Sequence, residues 1–260
     1  MIDNLIPIAK EHSISRVIAS IFIPQSFVKP ADVFEKNKDG FNNYQKKSLI
    51  NATTINFNNN SVGISQENEP KGFIFEEYDE NGVANNILKL ENIRDVKSTI
   101  SLENRKYLGW KDFKKRLLKD IKELASNNDF YVEAISLTYI DEFIWTNSDK
   151  IIDVESIFND KSELLNPKFL NSNNGTLILI SQGKNENYNF EEKTEISFNN
   201  DLKRIVLNHQ YAIRLSDLKM FTELTLENEF LSLFDDAHEE NKKVLKDLLT
   251  IECQKMINLK

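Results

Sequence analysis

The feature that most constrains the fold is a change of hydrophobic period within residues 107–145. From Trp110 to Leu124 the apolar side chains recur every three or four residues, which places them on one face of an amphipathic helix. The segment "ASNND" ends this pattern, and from 130 to 145 successive side chains follow the period of a strand, with apolar groups on both faces. The sequence therefore predicts a helix over 108–126 packed on a central strand over 130–145.

Shorter segments with strand character precede this unit. Residues 14–23 are rich in β-branched side chains, which favour strands. Five more such segments lie between residues 53 and 103, and Asn81-Gly82, between two of them, is a strong signal for a tight hairpin. The sequence therefore predicts an antiparallel meander before the helix.

A second set of elements follows the polar residues 146–173, which are the best candidate for a boundary. Three strands are predicted between residues 175 and 215, and residues 226–258 have the period of a helix. Asp235 or Asp236 is expected to cap a second helical segment there.

These patterns predict the α+β class, with antiparallel β-sheets packed against long α-helices in two sheet-plus-helix halves. The predicted domains are residues 1–146, with the meander, the helix and the central strand, and residues 147–260, with three strands and the terminal helix. One continuous domain is the alternative, because 260 residues can also fold around a single core.

Charge and cysteine content exclude several kinds of protein. With 41 acidic and 33 basic residues the net charge is −8, so nonspecific attraction to nucleic acid is weak. The basic row of the 108–126 helix lies outside its apolar stripe, as on any amphipathic surface helix, which leaves nucleic acid as a weaker alternative partner. One cysteine, Cys253, excludes an intramolecular disulfide and a multi-cysteine zinc site.

The sequence also predicts where the protein is found. No apolar run approaches the roughly 20 residues that a membrane-spanning helix needs. The first residues, "MIDNLIPIAKEH", lack the basic and apolar regions of a secretion signal. We therefore expect a cytoplasmic protein without membrane contact.

Four residues are candidates for a site that carries chemistry: Asp141, Glu142, His209 and His238. Two carboxylates at the end of the central strand can bind a metal or exchange protons, and a solvated strand end is the structural alternative. For both histidines the alternative is a hydrogen-bonded residue at the edge of the core. No glycine-rich phosphate loop or G-x-S-x-G motif occurs, and no cofactor or metal is expected.

Three segments occur in a fixed order: "YLGWKDFKKRLLKDIKEL", "VEAISLTYIDEF" and "LFDDAHEENKKVLKDLLT". In order and spacing, over about residues 70–257, the chain resembles a sporadically distributed family of uncharacterised bacterial proteins. The positions that correspond to the pattern are Tyr107, Trp110, Phe113, Tyr139, Ile140, Asp141, Phe234, His238 and Thr250. The chain departs from it at Asp141, where the family has Asn, and at Val244 and Leu245, where the family has a Phe.

The resemblance implies a fold rather than an activity, and its patchy occurrence implies a mobile system of the phage-defence or toxin–antitoxin type. The predicted function is a non-catalytic binding, sensor or adaptor subunit of a bacterial multi-protein system, with a protein partner encoded nearby. The alternative is an enzyme with a dispersed acid and histidine site, such as a nuclease or hydrolase. A third option is a small-molecule pocket between the sheet and the terminal helix.

Overall fold

A computed structural model provides the structure of this protein. It describes the chain in six stretches: residues 2–9, 11–27, 29–58, 61–93, 97–185 and 188–259. Residues 52–58 and 61–68 are described by their backbone alone.

Within those stretches the chain forms ten strands and seven α-helices. The strands are β1 (Leu5–Pro7), β2 (Ile14–Ile23), β3 (Lys46–Asn58), β4 (Ser61–Tyr78), β5 (Ala84–Ile93), β6 (Lys97–Asn104), β7 (Tyr131–Trp145), β8 (Gly175–Lys184), β9 (Tyr188–Asn199) and β10 (Arg204–Met220). The helices are α1 (Pro30–Asn37), α2 (Trp110–Asn127), α3 (Val154–Ile157), α4 (Pro167–Leu170), α5 (Phe221–Leu226), α6 (Glu229–Leu248) and α7 (Ile251–Met256).

The strands belong to one antiparallel sheet, which confirms the predicted α+β class. Its order is β3-β4-β5-β6-β2-β7-β10-β9-β8, and β1 also pairs with β7. β7 therefore has a neighbour on each side, as predicted for the central strand.

The chain divides into two compact units. The first unit comprises Met1–Ile18, Ser136–Ser216 and Ser232–Lys260. The second unit comprises Ala19–Ile135 and Asp217–Leu231.

The core of the first unit is formed by one face of its strands and by the terminal helices. Leu207 and Ile205 of β10 alternate with half-buried residues, and Leu245 and Leu248 lie on the apolar stripe of α6. Cys253 of α7 is completely buried in the same cluster. The burial of these side chains supplies the main force that holds α6 on the sheet.

In the second unit α2 buries the apolar face that its sequence pattern predicts. Its stripe residues Phe113, Leu117, Ile121 and Leu124 are buried. Trp110, at the first position of the helix, is half-buried and packs against Phe113 with ring centroids 6.0 Å apart. The apolar spacing alone was therefore sufficient to predict which face of α2 is buried.

The hairpin predicted at Asn81-Gly82 joins β4 and β5, which pair antiparallel. Oδ1 of Asp79 accepts hydrogen bonds from the backbone N–H groups of Asn81 and Val83, both at 2.9 Å. Gly82 has φ of +76°, in the left-handed region that favours glycine. The connection spans residues 79–83. Two of the five predicted segments form the single strand β4, β3 and β5 are longer than predicted, and β6 has the predicted length.

The cap predicted at Asp235 or Asp236 is wrong. Both residues lie inside α6, which continues to Leu248. The helical segment ends where Leu249 forms a β-bridge with Phe158. Thr250 then caps α7, since its side chain accepts a hydrogen bond from the backbone N–H of Cys253.

Candidate functional site

Asp141 and Glu142 are neighbours in sequence but not in space. Successive side chains of a strand point to opposite faces, so Asp141 shares one face of β7 with Tyr139 while Glu142 lies on the other. Asp141 forms part of a cavity wall beside α6, and Glu142 lies in a separate depression with Arg204 of β10. The two carboxylates therefore do not form the pair that the sequence suggested.

The carboxyl group of Asp141 is buried, and one of its two oxygens has a hydrogen-bond partner among the described residues. Its side chain is 1% exposed, and Ser13 Oγ donates a 2.6 Å hydrogen bond to Oδ1. Oδ2 has no hydrogen-bond partner among the residues that the structure describes. Burial raises the pKa of Asp141 from its ordinary value of 3.8 to about 6, and the hydrogen bond from Ser13 opposes that rise.

Cys253 of α7 lies within the electrostatic influence of Asp141. Burial, and then the negative charge of Asp141, raise the pKa of the thiol to about 12. The thiolate is the reactive form of cysteine, so this thiol is inert at neutral pH.

His238 of α6 contacts the same face of β7. Its Nδ1 lies 2.9 Å from the hydroxyl of Tyr139, and the two rings have centroids 5.7 Å apart. Tyr139 is completely buried, whereas His238 is half-buried. The structure thus confirms a hydrogen-bonded histidine at the edge of the core, and it brings His238 and Asp141 to one cavity.

This cavity has a volume of about 190 Å³ and lies between β7, the residues before β2 and the terminal helices. Its polar wall is formed by His12, Ser13, Tyr139, Asp141, His238, Asn241, Lys242 and Asn258. Its apolar wall includes Leu245 and Ile257. It therefore brings convergent polar groups and an apolar surface together in one cavity.

The spacing along α6 explains why these residues meet. Asn241, Lys242 and Leu245 follow His238 by three, four and seven residues, so all four lie on one helical face. Lys242 Nζ lies 3.0 Å from Glu239 Oε1, which fixes its ammonium group in an exposed ion pair.

His209 of β10 does not line the cavity but is linked to it. Asn241 Nδ2 lies 3.3 Å from His209 Nδ1, and His209 Nε2 lies 2.9 Å from Glu192 Oε1. An amide that donates to Nδ1 leaves the ring proton on Nε2, which donates to Glu192. The hydrogen bond from His209 is the main reason that the pKa of Glu192 is lowered.

Glu142 is held by a complete set of partners on the other face of β7. Ser15 Oγ donates a 2.8 Å hydrogen bond to Oε1, and Arg204 donates to Oε2 from Nε at 3.1 Å and from Nη2. Glu142 is 5% exposed, whereas the side chain of Arg204 is about half exposed. These contacts give Glu142 a structural role in the sheet.

Sequence reasoning missed Ser13 and Asn241. Ser13 is 128 residues from Asp141 along the chain, and no local pattern links them. Asn241 had a usable signal, because it lies on the same helical stripe as His238.

In the part of the chain that the structure describes, no three His, Cys, Asp or Glu side chains are grouped to hold a metal ion. No helix among the described residues is both long and apolar enough to cross a membrane. No family model, no curated protein and no solved structure matches this chain.

Proposed function

We propose that this protein is a non-catalytic binding subunit of the sensor type, and that its ligand occupies the cavity beside Asp141. The observation that carries the proposal is the buried carboxyl group of Asp141, with one oxygen bonded to Ser13 and the other without a partner among the described residues. Buried polar groups are normally hydrogen-bonded, so an incomplete group in a cavity wall points to a missing partner.

The charge of Asp141 destabilises the fold when the cavity is empty. A pKa raised from 3.8 to about 6 corresponds to a penalty of about 3 kcal/mol on the ionised carboxylate. An asparagine would accept the same hydrogen bond from Ser13 without this penalty. Residues that reduce stability without serving the fold are typical of binding sites, where function requires them.

The resemblance described above supports this argument. Its pattern has Asn after Tyr139 and Ile140, and this chain has Asp141 instead. On that basis the substitution converts a neutral position into a carboxylate, and it selects a ligand that a neutral site would not favour.

The chemistry of the cavity favours a small organic ammonium ion. A positively charged N–H donor makes a short, charge-assisted hydrogen bond to a carboxylate, and such bonds are about twice as strong as neutral ones. A volume of about 190 Å³ is close to the roughly 150 Å³ of an engineered cavity that binds one benzene molecule, so a ligand of a few heavy atoms fits it. Leu245 and Ile257 would contact its carbon atoms, while Tyr139 and His238 offer a second polar contact.

Thermal shift and titration calorimetry with ethanolamine at about pH 8 test this function, and ethylene glycol is the matched uncharged probe. We expect ethanolamine to raise the melting temperature, because a ligand that binds only the folded chain stabilises it by about 2.7 kcal/mol at a hundredfold excess over its dissociation constant. Ethylene glycol should have no such effect.

Two variants make this experiment specific. Asp141→Asn should no longer respond to ethanolamine, whereas Asp201→Asn, which removes a charge from an exposed residue of the same unit, should respond like the wild type. Binding that is unchanged in Asp141→Asn, or a wild type that does not respond, would overturn the proposal.

The predicted alternative is an enzyme with a dispersed site, and one observation favours it. A carboxyl group with a pKa of about 6 suits a general base near neutral pH, and it shares a cavity with the Tyr139–His238 pair. Release of p-nitrophenol from bis-p-nitrophenyl phosphate or p-nitrophenyl acetate, lost in both Asp141→Asn and His238→Gln, would favour this alternative over the binding function.

The proposal also includes what the sequence predicts about partner, biological setting and location. These predictions are a protein partner encoded nearby, a bacterial phage-defence or toxin–antitoxin setting, a cytoplasmic location and the weaker alternative of nucleic acid. The division into two halves at 1–146 and 147–260, each with long helices, also stays a prediction, whereas the separate sheets expected for them are one sheet.

A further inference from the structure

The two edge strands of the sheet differ in their protection against pairing. β3 begins with Lys46 and Lys47, and its register shifts twice around Asn51. β8 has ten residues, pairs with β9 in unbroken register and carries one charged residue, Lys184, at its end. Charges and bulges are the usual means by which an edge strand avoids another chain, so β3 is protected and β8 is not.

β8 also presents an apolar surface next to its free edge. Ile178 is 52% exposed and Ile180 is 64% exposed, and both lie on the same face of the strand. In the described part of the chain, β9 is the strand that neighbours β8. The other side of β8 therefore offers backbone N–H and C=O groups beside two exposed isoleucines.

We propose that β8 pairs antiparallel with β8 of a second copy of this chain, about a two-fold axis at Leu179. This register places Ile178 opposite Ile180 of the second copy and forms a patch of four isoleucines across the axis. Thr176 then lies opposite Gln182, and Leu177 opposite Ser181. No pair in the register brings two charges together, so the strand is complementary to itself.

The charges next to this patch do not oppose the pairing. On β9, Glu195 lies opposite Ile178 and Lys193 lies opposite Ile180. Lys193 Nζ is 3.6 Å from Glu195 Oε2, so the two charges already compensate each other. A second copy presents the same uncharged residues and the same two exposed isoleucines, so the two sides of the interface match in charge and in apolar surface.

The interface of one strand pair is smaller than the roughly 1,600 Å² of a standard stable complex, so we expect a weak dimer that depends on concentration. Sedimentation equilibrium of the full chain, from low micromolar to several hundred micromolar, measures it directly. The wild type should change from monomer to dimer over this range.

Ile180→Lys should weaken the dimer at least tenfold, because two lysines would then lie beside the two-fold axis on the edge. Leu202→Lys is the matched control, since Leu202 is 71% exposed outside the strands and the change adds the same charge. A wild type that is monomeric at every concentration would overturn the proposal, and so would a dimer that survives Ile180→Lys.

A cysteine cross-link tests the register independently. Residue 179 lies opposite its own copy only if the axis passes through it, and directly opposed Cβ atoms in an antiparallel pair are close enough for a disulfide. Oxidised Leu179→Cys should give a covalent dimer, whereas Thr176→Cys should stay monomeric because it faces Gln182. The native Cys253 is buried and does not interfere. Equal cross-linking of both variants, or none at residue 179, would contradict the axis.

Discussion

Asp141 and Glu142 are adjacent on β7, both are buried, and they have opposite relations to the fold. Glu142 receives hydrogen bonds from Ser15 and Arg204, which satisfy its charge. Asp141 receives one from Ser13, and its second oxygen has no partner among the described residues. Burial alone therefore does not tell these two carboxylates apart, whereas the completeness of their hydrogen bonds does.

Among the measurements that distinguish the two carboxylates, the pH dependence of stability due to Asp141 should show the largest effect. Its pKa in the folded chain is about 6 and its ordinary value is 3.8, so between these pH values the folded chain retains a proton that the unfolded chain has lost. This stabilisation is fully present below about pH 4 and is lost as the pH rises through 6; it amounts to about 3 kcal/mol. Urea titrations of wild type and Asp141→Asn should therefore differ by about 2.5 kcal/mol more at about pH 7 than at about pH 4, where the unfolded carboxyl group is already partly ionised.

The difference in stability between the wild type and Asp141→Asn reports Asp141 alone, because it removes the contribution of groups whose pH dependence has the opposite sign. The pKa of Glu192 is lowered by His209, so its contribution is lost as the pH falls. That contribution is the same in both proteins and cancels. If the variant and the wild type differed equally at both pH values, Asp141 would not carry the predicted penalty.

Glu142→Gln should act in the opposite direction. It removes the charge that pairs with Arg204, and it should lower the free energy of unfolding by about 1 kcal/mol, because the half-exposed Arg204 regains water. Urea denaturation at about pH 8 measures the change, and the exposed Asp201→Asn should stay within about 0.5 kcal/mol of the wild type. If Glu142→Gln increased the stability instead, the charge of Glu142 would destabilise the fold as that of Asp141 does, and the two carboxylates would not differ.

Of the three substitutions in β7, Tyr139→Phe should change the free energy of unfolding least. The variant loses one hydrogen bond to His238, which is half-buried and can bond to water instead. We expect a loss of about 0.5–1 kcal/mol in the free energy of unfolding, with the pH dependence due to Asp141 unchanged. A loss of several kcal/mol would show that the Tyr139–His238 pair, rather than Asp141, dominates the energetics of the cavity.

Periodicity predicted the parts of this molecule whose signals are local. The spacing of Phe113, Leu117 and Ile121 predicted the buried face of α2, and Asn81-Gly82 predicted the hairpin. The period of two over residues 130–145 predicted β7. Such patterns work because a helix and a strand repeat at 3.6 and two residues.

The rest depended on contacts between distant parts of the chain. Ser13 contacts Asp141 because the chain before β2 runs beside β7. Neither segment contains a local signal for this strand order. The end of α6 depends in the same way on the bridge between Leu249 and Phe158. Asn241 is intermediate, because its helical face was predictable but its contact with His209 was not.

The most direct test of the central claim, that Asp141 reduces stability and is kept for a ligand, is urea denaturation of Asp141→Asn at about pH 8 without ligand. We expect the variant to be more stable than the wild type by about 2–3 kcal/mol, because the amide keeps the bond from Ser13 and removes the buried charge. A variant that is less stable than the wild type would show that the carboxylate serves the fold, and it would contradict the binding function.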